Sequence, residues 1–201
     1  WQAFLGDNAD SVLVEEWAGG HAAIISGSGQ ILDAQGNRVL HLGEELVPHG
    51  QEVRCGDFRR DLPGRELAIR YNGHNPEVMI VSRDGEVLCR FVVDESPNNT
   101  GMETIRWYGG EQADLLYSPA ALFDGHGNKV VRFAELPPPT GGRMGWYHCF
   151  AADLCGDGRE GVVLYDPYGD AVYVYASTSL DAQQLGNYRH TARQYNARLM
   201  D

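Results

Sequence analysis

The sequence lacks long apolar runs, an excess of positive charge and any zinc-binding cysteine motif. No apolar stretch approaches the roughly 20 residues that a transmembrane helix requires. Acidic residues outnumber basic ones by 28 to 16, which gives a net charge of −12. This balance argues against nucleic-acid binding, because that binding depends on neutralising phosphates. The four cysteines show no C-x-x-C spacing, which argues against zinc and is compatible with two disulfides or none. We expect neither a membrane nor a nucleic acid as partner.

The chain also begins without an initiator methionine or an N-terminal leader, since its first residue is Trp1. We interpret it as a mature or truncated segment of a larger protein. On that interpretation, the missing leader says nothing about localisation.

No stretch shows sustained helical periodicity, whereas short β-branched and aromatic runs recur along the chain. Examples are ELAIRY, EVMIVS, EVLCRFVV, GVVLYD and AVYVYAS, which are separated by Gly, Asn, Asp and Pro. The segments DAQGN and DGHGN each stand between two such runs and predict hairpin turns with positive φ at Gly and Asn. The sequence therefore predicts an all-β protein.

The chain repeats itself at an interval of about 90 residues. The segment WAGGHAAII, which starts at residue 17, corresponds to WYGGEQADLL, which starts at residue 107 (107 − 17 = 90). A second pair of segments follows, in which Asp57 corresponds to Asp153 (153 − 57 = 96) and Glu66 to Glu160 (160 − 66 = 94). The order is A-B-A′-B′, with units of about 45 residues.

About four strands per unit is the size of a β-propeller blade. We predict about four propeller blades in this chain, as part of a seven- or eight-bladed propeller, with a β-sandwich as the alternative. The predicted domain is one propeller segment, residues 1–201, built as a duplicated two-blade unit (about 5–95 and 96–178) with a closing tail at 179–201. The propeller is favoured because a two-sheet sandwich gives no reason for the duplication.

An acidic turn occupies matching places in the two copies. In the second copy, Asp153, Asp157 and Gly158 fall at positions 1, 5 and 6 of a calcium-binding loop, and Glu160 lies near its end. Position 3 should supply an oxygen but carries Cys155, so the ligand set is incomplete. Asp153, Asp157 and Glu160 are therefore weak candidates for a calcium site. The alternative is that these carboxylates bind backbone N–H groups of a tight turn and pair with a neighbouring arginine.

Polar side chains with catalytic or sugar-binding chemistry cluster where the predicted strands end, in IRYNGHNPE, DESPNNTGME and GGRMGWYHC. The loops on one face of a propeller converge, so we expect these clusters to share a site. Taken singly, each residue also has an ordinary explanation as a strand position, a turn or a packed side chain. The candidates are Arg70, Tyr71, Asn72, His74, Asn75, Asn98, Arg143, Trp146, Tyr147 and His148.

At DLCGDGREGVVLYDPYGDAVYVYAS, FRRDLPGRELAIRYNGHNPEVMIV and RQYNARLMD, the chain resembles β-propeller polysaccharide lyases, in particular bacterial rhamnogalacturonan lyases and related uronate lyases. Their blades carry an Asp-x-x-Gly-Asp-x-Arg-Glu-Glu turn before an apolar strand. Asp153, Gly156, Asp157, Arg159 and Glu160 match that turn, with glycine in place of the final Glu. The resemblance covers most of the chain, but it lies in blade motifs, which report architecture before function.

The resemblance implies β-elimination at a uronic acid of an acidic, rhamnose-containing polysaccharide or oligosaccharide. The C5 proton can leave only if the adjacent carboxylate is neutralised, and calcium, Arg, His or Asn can do this. His and Tyr suit the base and the acid. On residue chemistry and loop position we assign catalysis to His74, His148, Tyr147 and Tyr71. The substrate-binding residues would be Arg70, Arg143, Asn72, Asn75, Asn98 and Trp146.

Two other functions stay open from the sequence alone. One is a non-catalytic propeller that binds glycan or protein, and the other is a propeller fragment whose catalytic residues lie outside this chain. The negative net charge counts mildly against an anionic substrate. The resemblance implies an extracellular or periplasmic protein. The expected partners are the sugar polymer and either the missing blades of the parent chain or a second copy.

Overall fold

Short apolar runs and glycine-containing turns alternate along the chain and fold into antiparallel sheets. The computed structural model describes residues 1–73, 75–93, 101–118, 121–140 and 147–179. All regular elements in these ranges are β-strands, and they form four antiparallel sheets of three or four strands. The all-β prediction is therefore confirmed. No helix in these ranges is long and apolar enough to cross a membrane.

Each sheet is a meander in which consecutive strands pair with one another, and we number the meanders sheets 1 to 4. Sheet 1 contains β1 (Val12–Ala18), β2 (His21–Ser26), β3 (Gln30–Asp33) and β4 (Arg38–His41). Sheet 2 contains β5 (Gly50–Gly56), β6 (Glu66–Tyr71), β7 (Glu77–Val81) and β8 (Val87–Val92). Sheet 3 contains β9 (Glu103–Ile105), β10 (Leu115–Ser118), β11 (Ala121–Phe123) and β12 (Lys129–Arg132). Sheet 4 contains β13 (His148–Ala152), β14 (Gly161–Tyr165) and β15 (Val172–Tyr175).

The two predicted hairpin turns are confirmed, and they share the same hydrogen bonds. The Asp33 carboxylate accepts backbone N–H groups two and four residues later, at 2.9 and 2.8 Å, and the side-chain amide of Asn37 at 2.8 Å. Asp124 accepts the equivalent groups at 2.9, 2.9 and 3.0 Å, the last from Asn128. The glycine before each asparagine has a positive φ, 86° and 80°, which a side chain would disfavour. The positive φ predicted for the asparagines is wrong, because Asn37 and Asn128 have negative φ and use their side chains to bond the aspartate instead.

The first strands of consecutive sheets contact one another: β1 with β5, β5 with β9, and β9 with β13. A parallel bridge between Ala9 and Gly50 gives sheets 1 and 2 the same direction. The Glu160 N–H donates to the Arg106 carbonyl at 2.9 Å and joins corresponding ends of sheets 3 and 4. We call the end at which each first strand begins the front end, and the opposite one the back end.

Three apolar clusters fill the spaces between consecutive sheets. Every residue of β6 and β10 is buried, so sheets 2 and 3 are covered on both faces. The last strand of each sheet is more exposed, as in β12 and β15, where burial alternates along the strand. Fully buried members of the clusters include Ile25, Ile31, Leu67, Ile69, Met79, Ile80, Ile105, Leu116, Leu122 and Leu164.

Four sheets in sequence differ from the alternative β-sandwich, which would have two. The duplicated two-blade unit stays a prediction. The matching residues Trp17 and Trp107 occupy similar environments, since they are 8% and 7% exposed. Most of the predicted closing tail, residues 180–201, lies outside the described residues. All four cysteines are free thiols.

Candidate functional site

Of the ten predicted catalytic and sugar-binding residues, six are described, and these six lie at or beside strand ends on the front side of sheets 2 and 4. Arg70 and Tyr71 end β6, Asn72 and Asn75 follow it, and Tyr147 and His148 lie at the start of β13. The structure thus divides them into one group on sheet 2 and another on sheet 4. The other four, His74, Asn98, Arg143 and Trp146, lie outside the described residues.

His148 is the described candidate best placed for chemistry. Its imidazole stacks on the Tyr165 ring, with centroids 5.1 Å apart and an interplanar angle of 25°. Asp166, which follows β14, accepts the N–H and hydroxyl of Thr140 at 2.6 and 2.7 Å. These bonds hold the pKa of Asp166 below its usual value, and the nearby His148 also lowers it. His148 therefore has an aromatic support and an ionised carboxylate close by.

Tyr147 occupies a different environment from its neighbour, because it is only 3% exposed. Its hydroxyl donates to the Pro137 carbonyl at 3.0 Å, and its ring meets Tyr173 edge-on at 5.7 Å. Burial raises the pKa of Tyr147 to about 12. This tyrosine anchors the segment before β13, and its hydroxyl is already engaged by a carbonyl.

Arg70 and Tyr71 are also interior residues. The Arg70 side chain is 0% exposed and lies 3.4 Å from the Glu52 carboxylate. The Tyr71 hydroxyl donates to Glu77 and accepts from Arg90 at 2.8 Å, and the Arg90 guanidinium lies 5.6 Å from the ring centroid. Burial, followed by the bond to Glu77, raises the pKa of Tyr71 to about 12. These contacts place both predicted residues within the packing of sheet 2.

Asn72 and Asn75 form the turn after β6. Asn72 has a φ of 59°, a left-handed conformation that asparagine tolerates better than most residues. Its N–H donates to the carbonyls of Pro48 and His49 at 2.8 and 3.1 Å, and its own carbonyl accepts the Asn75 N–H at 3.2 Å. The turn is therefore fixed against the loop that precedes β5.

That loop carries a histidine–aspartate pair that sequence reasoning missed. His49 Nε2 lies 3.5 Å from Asp10 Oδ2, and the two side chains are 47% and 41% exposed. His49 Nδ1 lies 2.9 Å from the Asn8 amide, and the Gln51 amide donates to Asp10 at 2.5 Å. His49 itself has a φ of 49°, and strained backbone of this kind tends to occur at functional sites.

No local signal could have identified this pair, since its members are 39 residues apart (49 − 10 = 39). They meet because residues 8–10 bond to Gly50. The Asp10 N–H donates to the Gly50 carbonyl at 2.9 Å, and the Gly50 N–H donates to the Asn8 carbonyl at 3.2 Å. The same N-terminal segment carries Asp7, whose carboxylate lies 2.8 Å from His41 Nε2.

The acidic turn of sheet 4 lies at the back end, opposite His148. The Asp153 carboxylate accepts three backbone N–H groups, from Gly156 at 2.7 Å, Asp157 at 3.1 Å and Gly158 at 2.9 Å. Asp157 accepts two bonds from the Arg159 side chain, which lowers the pKa of Asp157. This is the arrangement that the turn alternative predicted.

In the acidic turn, protein donors engage two of the three predicted calcium ligands. Three backbone N–H groups donate to Asp153, and the Glu160 carboxylate accepts the Arg106 N–H at 2.8 Å. Among the residues that the structure describes, no three His, Cys, Asp or Glu side chains are grouped so as to hold a metal ion. Calcium binding by Asp153, Asp157 and Glu160 stays a prediction that needs a direct test.

The acidic turn of sheet 2 is built differently. Arg59 pairs with Asp61 through two hydrogen bonds at 2.8 and 2.7 Å, and the Arg59 N–H donates to Glu66 at 2.9 Å. Glu66 is 0% exposed, and burial raises its pKa to about 7. Glu66 is the first residue of β6 and pairs with Gly56, the last residue of β5. The residue in the same place in sheet 4 is Gly161, which pairs with Ala152. The sequence match of Glu66 with Glu160 is therefore wrong by one residue.

No protein-family model matches the chain, and no curated protein matches it. Among solved structures, it is similar to a rhamnogalacturonan lyase, PL11, of Bacillus licheniformis, with a TM-score of 0.49 and 15% sequence identity. The match covers 87% of this chain and 36% of the lyase chain, so this chain spans about a third of that enzyme's length.

Proposed function

We propose that the chain is part of a seven- or eight-bladed β-propeller and that each of its four sheets is a blade. The support is geometric. Each sheet is a meander of consecutive strands, and the first strand of each sheet contacts the first strand of the next, from β1 through β5 and β9 to β13. Contacts of this kind are expected when the first strand of every blade lines a common axis. The loops at the front ends would then converge around that axis.

We further propose that the front end binds an acidic polysaccharide or oligosaccharide and cleaves it by β-elimination at a uronic acid. The observation that supports this proposal is that two separate groups of imidazole, amide and carboxylate side chains lie at front ends of the sheets. They are His148 beside Asp166 on sheet 4, and Asn72 and Asn75 beside His49 on sheets 1 and 2. Imidazoles suit proton abstraction near neutral pH, and amides suit binding of sugar hydroxyls.

The burial of individual residues refines these roles. His148 is the described candidate for the base, and His74 is the other candidate from the sequence. Because Arg70 is fully buried against Glu52, Arg143 is the arginine we propose for neutralising the uronate carboxylate. Asn72, Asn75 and Asn98 would bind hydroxyl groups, and Trp146 would stack on a sugar ring. The leaving oxygen would take its proton from a histidine or from water, because the hydroxyls of Tyr71 and Tyr147 already have protein partners.

The test is release of unsaturated uronate products, followed by ultraviolet absorbance, when the full-length protein meets rhamnogalacturonan and glucuronate-containing polymers. Substituting a general base typically costs about 10²- to 10⁴-fold in rate. We expect a loss of that size for His148→Ala or for His74→Ala. The matched control is His126→Ala, in the back-end turn that follows β11, which should leave turnover unchanged. Full turnover in both His148→Ala and His74→Ala would exclude the assignment.

The second candidate function is a propeller that binds glycan or protein without cleaving it. The burial of Arg70 and Tyr147 favours it, because one predicted substrate-binding side chain and one predicted catalytic side chain do not reach the surface. Binding of the polymer without product by the full-length protein would select this function. Product from the full-length protein, with both histidine variants active, would place catalysis in blades outside this chain. On either function we propose an extracellular or periplasmic location, from the sequence resemblance.

A further inference from the structure

Two left-handed residues that are not glycine meet at the front end, between sheets 1 and 2. His49 has a φ of 49° and Asn72 a φ of 59°, and the Asn72 N–H donates to the His49 carbonyl at 3.1 Å. In the described part of the chain, Glu135 is the only other non-glycine residue with a positive φ. Strained backbone of this kind clusters at ligand-binding and active sites. Glycine would adopt both conformations without strain, which indicates that the imidazole and the amide are what these positions require.

The imidazole of His49 has one nitrogen engaged by an amide and the other beside a carboxylate. The Asn8 amide N–H donates to Nδ1 at 2.9 Å, so the neutral ring carries its proton on Nε2. Nε2 lies 3.5 Å from Asp10 Oδ2, which is longer than an ordinary hydrogen bond, and the two side chains are 47% and 41% exposed. A hydrogen-bond donor and an acceptor therefore stand side by side in contact with solvent.

The Asp10 carboxylate is held in place from behind. The amide of Gln51, a buried residue of β5, donates to it at 2.5 Å, and the Asp10 N–H donates to the Gly50 carbonyl at 2.9 Å. On the other side of the imidazole, Asn72 is exposed and Asn75 is half-buried. A carboxylate, an imidazole N–H and side-chain amides are thus fixed at the ends of two packed sheets.

This set of groups favours hydroxyl ligands over anions. A hydroxyl group both donates and accepts, so a carboxylate oxygen and an N–H that lie 3.5 Å apart suit two adjacent hydroxyl groups of a sugar ring. The amides can serve further hydroxyl or ring oxygens. The negative charge of Asp10 repels a uronate carboxylate from the same place.

We propose that Asn8, Asp10, His49 and Asn72 form a subsite for a neutral sugar residue of the polymer. Asp10 accepts one hydroxyl of that sugar, and the His49 Nε2–H donates to the adjacent one. This inference rests on the polysaccharide binding proposed above, and it assigns the neutral residue of that polymer, rather than the uronate, to sheets 1 and 2. It does not require that the polymer be cleaved.

The experiment measures binding of the full-length protein to rhamnogalacturonan, and to the same polymer after its carboxyl groups are reduced to alcohols, by isothermal titration calorimetry. His49→Gly and Asn72→Gly delete the side chain while glycine keeps the left-handed turn, so both variants should stay folded. We expect these variants and Asp10→Ala each to weaken binding about tenfold, the size expected for a lost hydrogen bond to a charged group or for two neutral ones. The loss should be equal for the native and the reduced polymer, because no carboxylate of the polymer lies in the subsite.

The matched control is Glu135→Gly, the same substitution at the third left-handed residue, which should leave binding of the reduced polymer unchanged. Circular dichroism and thermal unfolding establish that each variant is folded. Wild-type affinity in the folded Asp10, His49 and Asn72 variants would overturn this inference and leave the proposed function standing. A loss confined to the native polymer would also overturn it, because that result places the uronate in this subsite.

The remaining outcomes separate the subsite from the proposed function. Binding that depends on Asp10 and His49, without release of unsaturated product by the full-length protein, would exclude the proposed cleavage and support the subsite. A wild-type protein that binds neither polymer would overturn both.

Discussion

Sheets 2 and 4 carry different chemistry at the same register position. In sheet 2 the cross-strand pair is Glu52 and Arg70, which are 2% and 0% exposed. In sheet 4 the corresponding pair is His148 and Tyr165, which stack with their centroids 5.1 Å apart, and Tyr165 is 39% exposed. Sheet 3 covers the first pair, whereas the second lies on the face of sheet 4 that points away from sheet 3 and is partly exposed. Equivalent strand positions therefore become a buried ion pair or an accessible aromatic–imidazole pair according to what covers them.

The largest expected effect is a difference in the free energy of unfolding between variants of these two pairs. Arg70→Ala leaves the buried Glu52 carboxylate without this partner and should lower the free energy of unfolding by about 3–5 kcal/mol. Tyr165→Ala removes a partly exposed ring contact and should cost roughly 0.5–1.5 kcal/mol. Urea denaturation of both variants measures the difference. The double variant Glu52→Leu with Arg70→Met should recover most of the loss, since apolar pairs often replace buried ion pairs well. Equal small losses at Arg70 and Tyr165 would contradict the comparison.

The next effect is the pH dependence of stability that Glu66 gives to sheet 2. Its pKa is raised from 4.5 to about 7 in the folded protein. Between these values the folded state binds more protons than the unfolded state, so the stability contributed by Glu66 is fully present below about pH 4.5 and is lost as pH rises to about 7. Glu66→Gln should remove this pH-dependent loss of unfolding free energy, which is on the order of 1–3 kcal/mol over that range.

Unfolding measured across this pH range with both proteins tests the prediction. The equivalent position in sheet 4 is Gly161, which has no carboxyl group to titrate. A wild-type slope that survives in Glu66→Gln would assign the pH dependence to another group.

A smaller effect distinguishes the two acidic turns. Asp153→Ala removes an acceptor that serves three backbone N–H groups and should cost about 1–2 kcal/mol, comparable to the loss of a helix cap. Asp61→Ala in sheet 2 removes an exposed pair with Arg59 and should cost measurably less. Thermal unfolding of the two variants side by side checks this order. A larger loss for Asp61→Ala would reverse the roles that the hydrogen bonds indicate.

The smallest expected effect is that of calcium. Because backbone donors surround Asp153, we expect the same Tm with added calcium and with a chelator. Differential scanning fluorimetry on the wild type and on Asp153→Asn provides the measurement. A calcium-dependent rise in Tm that disappears in Asp153→Asn would instead support the metal site predicted from the loop spacing.

The sequence predicts local features well because their partners are close along the chain. The hairpin turns at Asp33 and Asp124 are examples, since every bond they make spans at most four residues. The pairing of Asp157 with Arg159 is another. In each case the residue types alone specify the geometry.

The features that the sequence could not predict depend on neighbouring sheets. Arg70 resembles an exposed strand-end residue until sheet 3 covers it, and His49 meets Asp10 only when the N-terminal segment crosses Gly50. The mismatch of Glu66 with Glu160 has a third cause. The first acidic turn is longer than the second. Only the hydrogen-bond register of the folded sheets shows which residues of the two turns correspond, and the sequence alone does not give that register.

The consecutive order of strands within every sheet has a consequence for how the chain folds. All strand pairing within a sheet joins neighbours in sequence, so its loop-closure cost is low and contact order within each sheet is small. The contacts between sheets span longer distances, and in the described part of the chain each sheet packs against the one before it and the one after it. Such a chain is expected to nucleate at one meander and to propagate to its neighbours, as repeat proteins do. The sheets buried on both faces would then be the most protected from hydrogen exchange, and the terminal sheets would open first.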